Sequence, residues 1–214
     1  MKKYFCLGLC GQKRSGKDTI YNFIHKNLEN EMNLDFKKVA FADAVKNVLC
    51  LFSYKQNGNL IKVDKEFIEE YKTKEDLIPE SWNMSVREAL NNIGDRFREV
   101  CPNVWIDIAL NSSGNKIVTD VRYSNEISEI KKRYHSLIIK IIRPSFSKEK
   151  GHRSETSFIE IDKSIPNNLE GPCSEYNNVP YDYIIRNNGD LKDLEEKVKY
   201  KLLPFVLNRW KFFT

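Results

Sequence analysis

A chain of 214 residues, 41% hydrophobic and 30% charged, is long enough for one domain with a full core and a modest insertion but short for two independent domains, and this balance excludes disorder along most of its length. Lys and Arg number 35 against 30 Asp and Glu, a formal charge of +5 that favours anionic partners such as nucleotides without demanding a nucleic-acid polymer. No apolar run is long enough to span a bilayer, and Met1-Lys2-Lys3-Tyr4 leads into a strand-like run instead of a signal peptide, so a cytoplasmic protein without membrane contact is expected.

Tyr4 to Cys10 is a short apolar run ending at Gly11 and reads as a buried strand. A glycine-containing loop follows, and then Ile20, Phe23, Ile24 and Leu28 repeat at helical spacing over Thr19 to Leu28. Lys37 to Phe41 reads as a second strand and Ala42 to Phe52 as a helix. Residues 55 to 83 break this rhythm: they are rich in Lys and Glu, carry Asn57-Gly58-Asn59, and hold only a weak helix at Lys65 to Tyr71, as an exposed insertion would. Ser85 and Glu88 have capping-box spacing ahead of Ala89, Leu90, Ile93 and Phe97. Pro102 is expected to open a helix through Leu110. Lys116 to Asp120 is a buried strand with an acid at its end, Ser124 caps a helix to Tyr134, and Leu137 to Ile142 is a strand stopped by Arg143-Pro144. Ser145 to Val179 is rich in Ser, Asn, Pro and charge and reads as a mobile, lid-like loop region. Tyr181 to Ile185 gives a last strand, Asn187-Asn188-Gly189 a turn, and Leu191 to Leu203 a closing helix with Leu194, Val198 and Leu202 on one side. The C-terminal Arg209-Trp210-Lys211-Phe212-Phe213 is expected to dock on the body. Alternation of strands and helices implies an α/β fold with a mostly parallel sheet covered by helices on both faces. Cys6, Cys10, Cys50, Cys101 and Cys173 are odd in number and contain no Cys-x-x-Cys pair, so they read as reduced thiols.

Gly11-Gln12-Lys13-Arg14-Ser15-Gly16-Lys17-Asp18-Thr19 matches Gly-x4-Gly-Lys, with the hydroxyl residue one place later than usual. Chance alone gives such a string in roughly one chain in a few hundred of this length. Here it lies between a buried strand and an amphipathic helix, where consecutive amides and a helix N-terminus can enclose phosphate oxygens. Gly11 and Gly16 permit the turn and the close approach, and Lys17 neutralises the β and γ phosphates. Asp18 stands where Ser or Thr normally binds magnesium, so its carboxylate could hold the ion directly, hold it through water, or cap the helix. Thr19 is placed for the α phosphate. The fold expected from this string is the P-loop NTPase three-layer sandwich, in a single domain over 1–214.

With Lys13-Arg14-Ser15-Gly16-Lys17-Asp18-Thr19, the chain resembles the phage-type deoxynucleoside monophosphate kinases. Further elements stand in that family's order: Ser85-Val86-Arg87, Leu90, Ile93-Gly94-Asp95, Trp105, Asp120-Val121-Arg122, Glu126, Arg143-Pro144, His152, Glu155 and Asn187-Asn188-Gly189-Asp190. The resemblance covers nearly the whole chain and is weakest over 55 to 83, a nucleotide-binding insertion, and over 157 to 180. It implies that Gly11, Lys13, Arg14, Ser15, Gly16, Lys17, Asp18, Thr19 and Arg143 bind ATP with Mg2+, and that Lys46, Arg87, Trp105, Asp120, Arg122 and Glu126 face a deoxynucleoside monophosphate. It also implies a cytoplasmic enzyme, in the host cytoplasm if the chain is viral.

Read residue by residue, Arg87 in the first turn of a capped helix can grip an acceptor phosphate bidentately, although a helix-surface arginine would look the same. Asp120 ends a buried strand on the sheet edge where open α/β folds bind ligands. Arg122 and Glu126 could pair with each other as easily as with ligand. Trp105 divides evenly between core packing and flanking an acceptor base. Arg143 at a strand end is free to reach polyphosphate or stack on adenine. Lys148, Lys150, His152 and Arg153 could close over the phosphates or be a solvated charge run.

Phosphoryl transfer to a phosphate asks for positioning and charge neutralisation more than for a base, so Lys17, Arg87, Asp120 and Arg122 are the residues expected to act on the reaction. Two alternatives remain at this level: a kinase of another phosphorylated metabolite, similar to the phosphomevalonate kinases, or a nucleotide-gated binding module with weak ATPase activity. The base preferred and the oligomeric state, a homodimer included, are left open.

Overall fold

The computed structural model describes residues 4–32, 34–74, 76–144, 156–176 and 179–213. The chain divides into two compact units, Met1–Val39 with Ser112–Thr214, and Ala40–Asn111. The insertion expected at 55–83 lies wholly inside the second. Among the described residues, no helix is long and apolar enough to cross a membrane, and all five cysteines are free thiols.

In the first unit a six-stranded sheet is formed, among the described residues, by β1 (Phe5–Cys10), β2 (Lys37–Val39), β5 (Lys116–Val121), β6 (His135–Ile142), β7 (Gly171–Pro172) and β8 (Tyr183–Arg186), in the order β2-β5-β1-β6-β8-β7. Every pairing is parallel except β7 with β8. Alternate side chains of β1 leave on opposite faces. Phe5, Leu7 and Leu9 join one core with Ile20, Ile24 and Leu28 of α1 (Lys17–Met32) and with Leu194, Val198, Leu202 and Val206. On the other face Gly8 leaves room for Ile130 of α6 (Ser124–Arg133): a β-carbon there would stand 2.8 Å from Ile138 Cδ1 and 3.6 Å from Ile130 Cδ1. Helices therefore cover both faces, with β1 central and the glycine-rich loop joining it to α1. This is an α/β arrangement of a mostly parallel sheet between two layers of helices, as the sequence implies.

The closing helix runs further than the expected Leu203. After α8 (Leu191–Lys197) comes a π-helical turn, Val198–Leu202, and then α9 (Leu203–Phe213). Pro204 has no N–H to give and its ring crowds the carbonyl four residues back; the wider turn accommodates it. Trp210 then packs on Phe5 and Phe36, each at 5.4 Å between ring centres, so the aromatic tail docks as a helix at the amino end of β1.

The second unit holds α2 (Phe41–Leu49), a hairpin of β3 (Ser53–Gln56) and β4 (Asn59–Lys62), α3 (Lys65–Tyr71), α4 (Val86–Val100) and α5 (Val104–Leu110). Its own core gathers Leu49, Val63, Phe67, Ile68, Val86 and Ala89. Ser85 and Glu88 close the expected capping box, Ser85 N donating to Glu88 Oε2 at 2.8 Å and Glu88 N to Ser85 Oγ at 3.3 Å. The hairpin departs from the sequence reading. Lys55, Gln56, Leu60 and Ile61 are all exposed, so no in-and-out alternation advertises the strands. Asn57 and Gly58, at φ 50 and 80, make the turn that this dipeptide favours. Pro102 lies in a turn before α5 instead of opening it, and Phe41 begins α2 instead of ending β2.

Between 145 and 180 the described residues form α7 (Ile159–Lys163) and β7, and no long element. Lys148, Lys150, His152, Arg153 and Glu155 lie outside the described residues.

Candidate active site

The loop between β1 and α1 turns back on its own lysine. Arg14 at φ 64 and Gly16 at φ 101 take left-handed backbone angles, Ser15 N donates to Gln12 O at 3.1 Å, and α1 starts at Lys17. Lys17, 8% exposed, donates from Nζ to Gly11 O at 2.7 Å and Gln12 O at 2.6 Å. The glycines are needed here. A β-carbon on Gly11 would meet Ser15 Oγ at 2.6 Å and the Ile141 carbonyl at 2.8 Å, and one on Gly16 would meet Asn187 Nδ2 at 2.6 Å. Ser15 Oγ is buried and, among the described residues, has no hydrogen-bond partner. A buried hydroxyl normally finds one; here it sits inside a cradle whose helix end favours an anion. Lys13 and Arg14 are exposed on the rim and Thr19 is half-buried.

Asp120 stands at the carboxyl end of β5, the strand beside β1, one residue before the Val121 that pairs with Cys10. It is half-buried, so the acid and the phosphate loop occupy neighbouring strand ends. Asp18, with a side chain 85% exposed in the first turn of α1, meets Lys38 at 3.8 Å, a pairing that contributes little. For a magnesium ion carried on substrate phosphates, the donor set fits: such ions take one or two carboxylates and keep their remaining positions for phosphate oxygens and water. Among the described residues beside the loop, Asp18 and Asp120 carry carboxylates.

Glu126 is 3% exposed, and its Oε2 accepts from Arg122 N at 2.6 Å and Tyr123 N at 3.0 Å. Its carboxylate thus caps α6, the duty expected of Ser124, which instead is the first residue of the helix. Glu126 thus meets Arg122 through the main-chain amide of that residue. Ser157 Oγ donates to the Arg122 carbonyl and so reaches the same corner.

In the second unit, Arg87 is half-buried and its Nε donates to Lys72 O at 2.9 Å, fixing the guanidinium against the end of α3. Lys46 pairs with Asp43 at 3.1 Å and Glu69 at 3.0 Å. Burial opposes its charge, but the hydrogen bonds to Glu69 and Asp43 outweigh it and hold the ammonium above its ordinary pKa. Trp105 is 1% exposed, stacks near Phe97 at 5.3 Å and donates Nε1–H to Gly94 O at 2.9 Å. Of the two fates weighed for it, these contacts describe core packing.

Arg143, at the end of β6, donates from Nη1 to the Arg14 carbonyl at 3.4 Å and with Pro144 edges a cleft of about 260 Å³ that also takes in Gln12 and Ser15. Two features of this region have no counterpart in the sequence reading. Asn187, 7% exposed, donates from Nδ2 to the Ser15 carbonyl at 2.9 Å, tying the turn after β8 to the phosphate loop. Its place before Asn-Gly signalled only a turn. Lys140, buried within β6, pairs with Asp162 of α7 at 2.5 Å, and Tyr181 OH donates to the same carboxylate at 3.0 Å. A lysine inside an isoleucine-rich run is the signal that could have found it. Nearby, burial pushes the Cys10 thiol up to about 11, against the opposing influence of Lys140, so it stays neutral near pH 7.

Asn187→Ala is expected to lower stability by about 1–3 kcal/mol, because the buried Ser15 carbonyl loses its donor. A urea titration reads this as a lower midpoint with unchanged slope. A midpoint equal to wild type would show that the tether bears no load.

No family model matches the chain, and no curated protein matches it. Among solved structures it is similar to an unliganded sugar kinase from a Janibacter species, with a TM-score of 0.35, 15% identity and coverage of 94% of both chains. It is also similar to the APS kinase CysC of Mycobacterium tuberculosis. The match to a cysteine-to-alanine mutant has a TM-score of 0.38 and 9% identity, over 92% of this chain and 96% of that one. The match to the complex with AMPPNP and APS has a TM-score of 0.40 and 8% identity over the same shares.

Proposed function

We propose that the chain is an ATP-dependent kinase that transfers the γ phosphoryl group of ATP to a deoxynucleoside monophosphate, giving a diphosphate and ADP. The observation that carries this reading is the phosphate loop itself: a cradle closed by Gly11 and Gly16, with the buried Lys17 ammonium at its centre and Asp120 on the neighbouring strand end. The deoxynucleotide acceptor is supported by the order of Arg87, Asp120-Val121-Arg122 and Arg143-Pro144 along the sequence.

In this reading the triphosphate lies on the loop, and Lys17 turns from the Gly11 and Gln12 carbonyls to the β and γ phosphates. The base enters the cleft edged by Arg143 and Pro144. Magnesium, when bound with the nucleotide, neutralises charge on the β and γ oxygens; Asp18 and Asp120 would hold it, directly or through water. Arg87 and Lys46 take the acceptor phosphate, and Arg122 faces the charge that spreads over the transferring group. The acceptor oxygen is already anionic, so no side chain has to remove a proton. Rate comes from in-line placement and from cations fixed in advance.

A coupled assay for ADP release with a panel of deoxy- and ribonucleoside monophosphates tests the proposal. Turnover that depends on a deoxynucleoside monophosphate is expected. ADP release at the same slow rate with and without acceptor would leave only an ATP-binding module, and turnover with other phosphorylated metabolites alone would move the acceptor class.

A further inference from the structure

The cleft beside the phosphate loop is apolar on its walls, through Ile142, Ile159 and Ile165, and bears one carboxylate among the described lining residues, Asp162. Its volume of about 260 Å³ lies just under the roughly 300–1,000 Å³ of sites that enclose whole small molecules, which suits a base better than a complete nucleotide. Asp162 is held from behind. Oδ2 accepts from Lys140 Nζ at 2.5 Å and Oδ1 from Tyr181 OH at 3.0 Å, while the Lys140 ammonium also lies 5.0 Å from the centre of the Tyr181 ring.

A buried ion pair of this kind adds little to stability, since desolvation of both charges offsets their attraction. It does fix geometry. Both side chains line the cleft, but that of Asp162 is 23% exposed and that of Lys140 4% exposed, so the acid is the more accessible of the two charges. A carboxylate has about four acceptor positions, and two are taken by these donors. What remains can only accept. The other cations lining the cleft have partners of their own: Arg186 donates to Leu169 O at 3.0 Å and Pro166 O at 2.8 Å, Lys163 pairs with Glu160 at 3.2 Å, and Arg143 donates to the Arg14 carbonyl at 3.4 Å.

Resting on the kinase reading above, we propose that Asp162, oriented by Lys140 and Tyr181, is the residue that selects the donor nucleotide, by accepting a hydrogen bond from an exocyclic amine on its base. ATP satisfies that acceptor. Inosine triphosphate places a carbonyl at the same position, and purine riboside triphosphate places nothing there. A site built to hydrogen-bond a ligand group rejects an analogue lacking it, because the site's own polar atom is left unpaired.

The test measures kcat/KM for ATP, inosine triphosphate and purine riboside triphosphate as donors, at one saturating acceptor, in wild type and Asp162→Asn. A parallel titration of direct binding follows the same three nucleotides. Wild type should prefer ATP over both analogues by about tenfold or more, and Asp162→Asn, which offers an amide of the same shape, should bring the ratio of ATP to inosine triphosphate to about one or below. The double variant Lys140→Met/Asp162→Asn guards against a stranded buried lysine and should show the same loss of preference. Equal use of ATP and its analogues by wild type would overturn the assignment whether or not the variants fold. So would an unchanged preference in either folded variant. Failure of wild type to bind any of the three would instead remove the kinase reading, and the assignment with it.

Discussion

Lys17→Ala should reduce phosphoryl transfer by about 10³-fold or more, the scale on which a cation aimed at the transferring phosphates acts in such enzymes. The side chain is 8% exposed and already hydrogen-bonded to two loop carbonyls, so its charge is in position before any ligand arrives. Alanine also strands those carbonyls, and a loss of about 1–2 kcal/mol in stability accompanies the kinetic effect. Single-turnover ADP formation measures the first and thermal melting the second. Transfer at the wild-type rate in a folded Lys17→Ala protein would withdraw the phosphate role from this residue. Lys17→Arg should not restore activity, because the guanidinium fork is too large for the space the compact ammonium fills.

The second large effect is expected at Arg87. Arg87→Ala should lower kcat/KM for the monophosphate by about 10²-fold, the usual consequence of removing one donor from developing charge, and leave ATP binding nearly unchanged. The Nε contact to the Lys72 carbonyl fixes the arginine from one side, so a guanidinium edge held by the α3 end is what the substitution removes. Kinetics varied in each substrate separate the cases. A rise confined to the Michaelis constant for ATP would place Arg87 with the donor instead of the acceptor.

The local parts of this molecule were the legible ones. The Gly11-to-Thr19 string, the Ser85-x-x-Glu88 box and the apolar spacing of Leu194, Val198 and Leu202 are each written within a turn or two of chain, and each forms as read. The α/β layering followed from alternation, and the central strand from its run of buried residues. What escaped depends on contacts far apart in sequence or on capacity that composition cannot rank. Asn187 and Ser15 are 172 positions apart, and no periodicity joins them. Asp162 lies on a five-residue helix in a polar stretch, so nothing marked it as the partner of a lysine in β6. Glu126 was visible as an acid near the site, but its carboxylate satisfies two amides upstream of it, a duty that competes with ligand binding and that spacing alone did not decide. The β3–β4 hairpin went unread because all of β4 and half of β3 are solvated, although Asn57-Gly58 carried the turn.

Four carbonyl oxygens around the first turn are covered: Gly11 and Gln12 by Lys17, Arg14 by Arg143, and Ser15 by Asn187. The negative ends of the peptide dipoles are thereby screened by donors drawn from three different parts of the chain. An incoming polyanion meets little repulsion from the rim, and a bare metal cation arriving without phosphate finds few exposed oxygens to ligate. Polarity sorting of the main chain thus gives this turn a preference for one sign of charge before any side chain touches the ligand.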